Sequence, residues 1–333
     1  MNWNAANPVQ FADFKNLKIT LTGGRGFLGR HVVQELVKHG ASAQNIFSPQ
    51  SHELDLRKTE DAAKAVKGSD LVIHLAARVG GIGLNQKKPA DLIFDNAMMG
   101  LNVINESLKA RVKKIVVAGT VCAYPKFTPT PFKEDNIWEG YPEETNAPYG
   151  LAKKMLLVAL QSYRQQHDMH GIFLLPANLY GPYDNFDLES SHVIPAMIRK
   201  FLEAKKARAP QVTLWGDGSP SREFLFVEDC ARGFVQAALK YDGSAPVNLG
   251  THEETPIRVL AETIKELTHY EGTIHWDTSK PNGQPKRFLD TSRALEAFGF
   301  KAEISLKAGL KKTIDWYLHQ TLSKETPHEA SAR

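Results

Sequence analysis

Tyr149 and Lys153 stand four residues apart, a spacing that puts a phenol and an ammonium on one face of a helix. A cation beside a phenol lowers its pKa, so such a pair can trade a proton with a carbonyl or an alcohol near neutral pH. Alone, the pattern recurs on many amphipathic helices. Here it follows Ala118-Gly-Thr-Val-Cys122, the end of an apolar run that reads as a strand. That strand would deliver the Thr120 hydroxyl to the carboxyl edge of a sheet, where ligands bind in open α/β folds. The chemistry these residues suit is reduction of a carbonyl, or its reverse.

A second cluster reads as a phosphate cradle. In Thr22-Gly-Gly-Arg-Gly-Phe-Leu-Gly29 the glycines Gly23, Gly26 and Gly29 are spaced G-x-x-G-x-x-G, between a strand and a helix. The first permits a tight turn, the second lets backbone approach a pyrophosphate, and the third lets helix pack on strand. The amides of Phe27, Leu28 and Gly29 then open a helix whose dipole favours an anion. Gly24 and Arg25 complete the turn, and Asp55-Leu56, after the second strand, could meet an adenine. Ser48-Pro-Gln-Ser-His52 lacks the acidic residue that grips a ribose 2′-hydroxyl in NAD binders. Arg25 could instead pair with a 2′-phosphate, which favours NADP(H) over NAD(H).

These groups need a scaffold, and the chain alternates short apolar runs with helical patterns as parallel βαβ units do. Strands are expected at 18–22, 45–47, 70–75, 114–118 and 172–175. Helices are expected at 27–39, 61–66, 91–109, 149–167, 193–206, 227–240, 257–268 and 306–318. In the first helix, Phe27, Leu28, Val32, Leu36 and Val37 share one side and Gly40 is the stop. The fold class is α/β: a Rossmann-type doubly wound parallel sheet with a smaller, partly interleaved C-terminal substrate domain. The dinucleotide-binding domain is expected at 15–178, with 225–250 returning to it; the substrate domain fills most of 179–320, and 1–14 and 321–333 are tails.

Composition narrows the function classes. The chain has 333 residues, 42% hydrophobic and 23% charged, ordinary for a globular protein. Lys plus Arg number 41 against 37 Asp plus Glu, an excess too small and too dispersed to argue for nucleic acid. No window offers the roughly 18 apolar residues of a membrane helix, and 1–14 lacks the apolar core of a signal peptide. Two cysteines, Cys122 and Cys230, make no disulfide framework. The expectation is a reduced cytoplasmic protein without a metal site, with Cys230 in the packing.

Taken together, the glycine turn, Leu75-Ala-Ala77, Thr120 and Tyr149-x-x-x-Lys153 resemble an extended short-chain dehydrogenase/reductase. Further segments, over about 18–318, are similar to the GDP-L-fucose synthase family. They are Val79-Gly-Gly-Ile82, Cys122-Ala-Tyr-Pro-Lys126, Thr145-Asn-Ala-Pro-Tyr149, Pro176-Ala-Asn-Leu-Tyr-Gly-Pro-Tyr-Asp-Asn-Phe186, Ser191-His-Val-Ile-Pro-Ala196 and Trp215-Gly-Asp-Gly-Ser-Pro-Ser-Arg-Glu-Phe224.

The resemblance implies an NADPH-dependent enzyme that epimerises C3 and C5 of GDP-4-keto-6-deoxy-D-mannose and then reduces C4. It makes Cys122 the base and His192 the acid of epimerisation, Tyr149 the proton donor of reduction, and Thr120 the partner of the C4 oxygen. Lys153 holds the nicotinamide ribose; Pro176, Asn178, Leu179 and His192 line the nicotinamide end; Lys200, Trp215, Arg222 and Asn282 contact the GDP moiety. It implies a homodimer through the helices at 91–109 and 149–167. The chain departs from the family in having Thr120 for Ser, Asn282 for Asp, and no Arg after the second strand. Other readings are an NAD-dependent nucleotide-sugar epimerase of the GDP-mannose 3,5-epimerase type, an enzyme of another GDP-linked keto sugar, and a non-catalytic dinucleotide-binding redox sensor.

Overall fold

Strands covered on both faces need continuous apolar runs, and the chain supplies them in order. The computed structural model describes residues 8–280 and 286–325. Its first half contains β1 (Ile19–Thr22), α1 (Phe27–Lys38), β2 (Ile46–Phe47), α2 (Thr59–Val66), β3 (Leu71–His74), α3 (Ile82–Lys87), α4 (Pro89–Lys109), β4 (Lys114–Ala118), α5 (Ala147–His167) and β5 (Gly171–Pro176). There follow β6 (Asn178–Tyr180), α6 (Val193–Lys206), β7 (Gln211–Trp215), β8 (Ser221–Arg222), β9 (Phe224–Phe226), α7 (Val227–Lys240) and β10 (Val247–Leu249). Last come β11 (Thr255–Pro256), α8 (Ile257–Thr268), β12 (Thr273–Asp277), α9 (Ser292–Phe298) and α10 (Leu306–Glu325).

Six strands form one parallel sheet in the order β2-β1-β3-β4-β5-β10. Every residue of β1, β3 and β4 is buried, as a doubly wound sheet requires. The chain runs outward from β1 to β2 and then crosses back to β3. The carboxyl ends of β1 and β3 therefore flank the switch point where such folds take their ligands.

Helix boundaries follow local signals. In α1, Val32 and Leu36 are fully buried one turn apart. Gly40 adopts φ +91 and the Ala41 amide returns to the Leu36 carbonyl at 3.0 Å, ending the helix. Val37, expected on the same side, is exposed, because it sits one position past the buried i, i+4 row. Pro89 opens α4 and a proline lies in the first turn of α5, where a missing N–H is harmless.

A second apolar cluster gathers Tyr180, Ile194, Ile198, Phe201, Leu214, Phe226, Leu260, Ile264 and Leu310. Around it lie three two-stranded pieces, β6 with β9, β7 with β12 and β8 with β11. Leu225, Phe234 and Val247 join the first core instead, and so do Leu289, Phe298 and Phe300, which sequence placed in the 179–320 unit.

The expected tail at 1–14 is anchored where it is described. Phe14 is fully buried, the Val9 amide donates to Asp242 at 2.7 Å, and the Phe11 amide donates to Leu239 at 3.1 Å. Aromatic burial and satisfied amides hold this stretch against α7. At the other end α10 continues past 318 to Glu325. Among the described residues no helix is long and apolar enough to cross a membrane, and no cluster of His, Cys, Asp and Glu is placed to hold a metal.

Candidate active site

The glycine turn closes tightly on itself. Gly23 has φ +75, a conformation L side chains rarely adopt, and its amide neighbours make turn bonds from Gly24 to Leu21 and from Gly26 to Gly23. A Cβ on Gly29 would lie 2.1 Å from the Gly23 carbonyl oxygen, so helix and turn touch backbone to backbone. Gly26 caps α1 with no side chain, and the first turn carries no acidic residue. The N-terminal amides of Phe27, Leu28 and Gly29 are thus left for an anion. Beside the turn, Ser48 Oγ is buried without a hydrogen-bond partner among the described residues, against Gly24. A cradle that a Cβ would fill, lined by an orphan hydroxyl, fits a dinucleotide.

Nearby, Glu53 accepts the Gln50 amide at 2.8 Å, a bond that lowers its carboxyl, with a smaller pull from Arg25. Asp55 is gripped by Arg57 through two bonds of 2.9 and 2.8 Å, which hold its carboxyl down at about 2. Leu56 is buried in the core, and its carbonyl accepts the Asn102 side-chain amide at 3.0 Å.

The reaction centre forms where α5 meets the turn after β4. Thr120 caps a short 3-10 turn, Val121–Ala123, its hydroxyl accepting the Cys122 amide at 3.2 Å. Gly150, next to Tyr149, is pressed against this turn: a Cβ there would meet the Cys122 carbonyl oxygen at 2.4 Å. That contact brings Tyr149 over the turn, where its phenol hydrogen-bonds Thr120 and feels Cys122. Burial raises the phenol above its ordinary value and outweighs the Thr120 bond. The expected depression by Lys153 does not emerge, and the phenol is protonated at neutral pH, the form a proton donor needs. Lys153 is itself buried and lowered by that burial to about 8.

Two arginines flank the thiol. Arg287 Nη1 lies 3.7 Å from Cys122 Sγ, and Arg222 feels both Arg287 and Cys122. Burial, together with its cationic neighbour, lowers Arg222 to about 10. Both guanidiniums thus stand beside Cys122. They are held by Glu223, whose buried carboxylate accepts the His252 and Leu289 amides, both at 2.7 Å, while its own amide donates to the Arg287 carbonyl at 3.1 Å. Asn178, on β6, donates to the Glu223 carbonyl at 2.9 Å.

Sequence reasoning missed Arg287 and Glu223, both far from their partners along the chain. A Glu between Arg222 and the apolar run Phe224–Phe226 was the one available signal.

The remaining predicted residues sit further out. Pro176 and Leu179 flank the β5–β6 junction at the sheet's carboxyl edge. His192 caps α6, its imidazole lowered by desolvation from the surrounding protein atoms. Its loop reaches the one after β3: the Gly81 amide donates to the Ser190 carbonyl at 3.0 Å. Lys200, lowered by burial, donates to the Thr213 carbonyl at 3.2 Å. Trp215, at the end of β7, is 66% exposed with the Lys280 ammonium 5.8 Å from its ring centre. Asn282 lies outside the described residues. Cys230 is fully buried and its thiol raised by that burial, as a packing residue is.

Comparison with known proteins points the same way. The sequence profile of the NAD dependent epimerase/dehydratase family matches residues 19–250. GDP-L-fucose synthase 1 of Arabidopsis thaliana is 40% identical over 93% of this chain and 96% of its own. A GDP-L-fucose synthetase from Naegleria fowleri, solved bound to NADP, superposes with a TM-score of 0.84 at 26% identity over 96% of this chain and 99% of its own. A GDP-6-OMe-4-keto-L-xylo-heptose reductase from C. jejuni superposes with a TM-score of 0.86 at 28% identity over 94% of this chain and 100% of its own.

Proposed function

This chain belongs to the NAD dependent epimerase/dehydratase family and, within it, to the GDP-L-fucose synthases, and from that premise we propose that it converts GDP-4-keto-6-deoxy-D-mannose to GDP-L-fucose by epimerisation at C3 and C5 and reduction at C4. One observation carries the reading. A thiol, a phenol and a hydroxyl, Cys122, Tyr149 and Thr120, converge at the sheet's carboxyl edge with two guanidiniums beside them.

The cofactor is NADP(H). When bound, it supplies the hydride for C4. The turn at Gly23, Gly24, Gly26 and Gly29 and the amides of Phe27 and Leu28 would hold its pyrophosphate, with Arg25 at the 2′-phosphate and Asp55 and Leu56 at the adenine. Lys153 would hold the nicotinamide ribose, with Pro176, Asn178, Leu179 and His192 around that end.

A ketone at C4 acidifies C3–H and C5–H. Cys122, its Sγ 3.7 Å from Arg287 Nη1, takes these protons as base. His192 returns protons from the other side. Burial favours its neutral form, so its donating form is drawn out by the enolate developing beside it. Thr120 donates to the C4 oxygen and Tyr149 protonates it. Arg222 and Arg287 meet the diphosphate, Lys200 adds charge, Trp215 offers its exposed face to the guanosine, and Asn282 supplies an amide there.

Ile93 and Phe94 on α4, with Met155 and Val158 on α5, are exposed apolar side chains on packed neighbouring helices. We assign this face to a second copy in a homodimer. We place the enzyme in the cytoplasm, where Cys122 stays reduced.

A second reading, a reductase of another GDP-linked 4-keto sugar, draws on the likeness to the C. jejuni enzyme. Purified protein given NADPH and GDP-4-keto-6-deoxy-D-mannose separates the two. Stoichiometric NADPH oxidation with GDP-L-fucose as product supports the first reading. Oxidation only with other GDP-keto sugars supports the second.

A further inference from the structure

The base and the acid assigned above stand on different packing units. Cys122 follows β4 against the first core, whereas His192 opens α6, whose Ile194, Ile198 and Phe201 belong to the second cluster. Epimerisation needs the two on opposite faces of one sugar ring, so their separation calls for a tie between the units.

The segment ahead of His192 carries such a tie. Asp187 Oδ1 accepts the Glu189 and Ser190 amides at 3.1 and 3.0 Å and the Ser190 hydroxyl at 2.8 Å, and the Asp187 carbonyl accepts the Ser191 amide at 2.8 Å. From this compact turn the Ser190 carbonyl accepts the Gly81 amide at 3.0 Å. Gly81 is fixed from its own side. Asn85, buried on α3, donates to the Gly80 carbonyl at 2.9 Å and to the Gly81 carbonyl at 3.0 Å. Earlier in the same loop, Asn96 on α4 accepts the Arg78 amide at 3.0 Å and donates to the Arg78 carbonyl at 2.9 Å. The loop after β3 is therefore pinned at Arg78 and again at Gly80–Gly81.

Gly81 has φ −64 and ψ 179, a conformation open to any L residue, so backbone freedom does not require glycine here. Space does. A Cβ would stand 2.8 Å from the Ser191 carbonyl oxygen, and backbone cannot swing aside as the end of a side chain can. Gly83 offers a comparison from the same helix: a Cβ there would meet the Glu189 carbonyl oxygen at 3.4 Å, an ordinary contact. The need for a bare α-carbon thus falls on the residue against the peptide bond that leads into His192. We propose that Gly81 is a positioning residue for His192: its amide and bare α-carbon seat the Ser190–Ser191 backbone, and so set where the acid on α6 stands relative to the base after β4. The inference rests on the parts given to Cys122 and His192 above.

Gly81→Ala tests it, with Gly83→Ala as the control, on GDP-4-keto-6-deoxy-D-mannose in D₂O with NADP⁺ bound so that no reduction follows. Cys122 takes C3–H or C5–H onto its sulfur, and that proton exchanges with solvent. The enolate then receives deuterium from His192, with inversion, or back from Cys122, with retention. At early times the ratio of inverted to retained deuterated sugar, read by NMR, should fall about tenfold in Gly81→Ala and stay at the wild-type value in Gly83→Ala. Asn85→Ala frees the Gly80 and Gly81 carbonyls, should act in the same direction, and serves if Gly81→Ala does not fold. Reduced thermal stability with an unchanged ratio in a folded variant overturns the proposal, and so does an equal fall in Gly83→Ala. A second arm needs no sugar. The His192 imidazole, which burial holds below its ordinary 6.5, should titrate higher in Gly81→Ala, because the shifted turn opens it to water. The resonance is followed in ¹³C-histidine protein and assigned through His192→Gln, and an unchanged midpoint overturns the proposal. A raised midpoint in protein that exchanges no GDP-keto sugar would refute the substrate reading and leave the placement of His192 by Gly81 standing.

Discussion

Two places in the molecule concentrate positive charge, and they are made in opposite ways. The turn from Gly23 to Gly29 uses backbone amides and the end of α1, all within one contiguous stretch. Its charge is fractional, fixed in direction and attached to no flexible side chain. The pair Arg222 and Arg287 uses two full charges from separate parts of the chain, and burial, with the repulsion of Arg287 added to it, lowers Arg222. That arrangement is held by a third residue, Glu223, through backbone amides of two loops. Local backbone geometry thus suits the invariant pyrophosphate of a cofactor. Side chains brought together over long range suit a substrate whose identity differs between relatives.

The largest expected effect falls on the group between the two sites. Tyr149→Phe removes the proton donor and touches neither anion site, so reduction should fall on the order of 10³-fold. NADPH and GDP affinities, followed by fluorescence titration, should stay near wild type. Unchanged reduction would remove Tyr149 from the mechanism.

Next comes the backbone cradle. Gly29→Ala drives a methyl group into the Gly23 carbonyl and should weaken NADPH binding about 100-fold. GDP binding, measured by calorimetry, should be spared. Equal loss of both ligands would merge the two sites into one.

Arg222→Ala should do the reverse. Losing one charged hydrogen-bonding group raises the KM for the GDP-sugar about 30-fold, with the NADPH KM unchanged. A shift confined to NADPH would move Arg222 to the cofactor side.

Smaller still is the pH response. Lys153 is charged below about 8, so the reduction rate should be level under that pH and fall as pH rises through it. Epimerisation, which does not use Lys153 in this account, should not share that limb. A common limb for both steps would tie Lys153 to more than reduction.

The same contrast governs what could be read from sequence. The G-x-x-G-x-x-G turn, the apolar strands and Tyr149-x-x-x-Lys153 are short-range patterns, and the structure assembles them from neighbouring residues. β10 was overlooked because three residues, Val247–Leu249, carry too little periodicity to distinguish strand from loop. Arg287 and Glu223 were overlooked because their meaning lies in residues distant along the chain. The depression of Tyr149 by Lys153 was expected from helical spacing alone. Spacing says nothing of burial, and burial decides the direction. Anchoring of the stretch ending at Phe14 depends on Asp242 and Leu239, which no local pattern announces.

Epimerisation at C3 and C5 and reduction at C4 are assigned here to one site, and a single experiment in D₂O addresses both steps. Wild-type protein, NADPH and GDP-4-keto-6-deoxy-D-mannose should give GDP-L-fucose carrying solvent deuterium at C3 and C5, with one NADPH oxidised per product. Cys122→Ser in the same assay should lose deuterium incorporation far more than substrate affinity. NADPH oxidation that yields a C4-reduced sugar with protium retained at C3 and C5 would contradict the account.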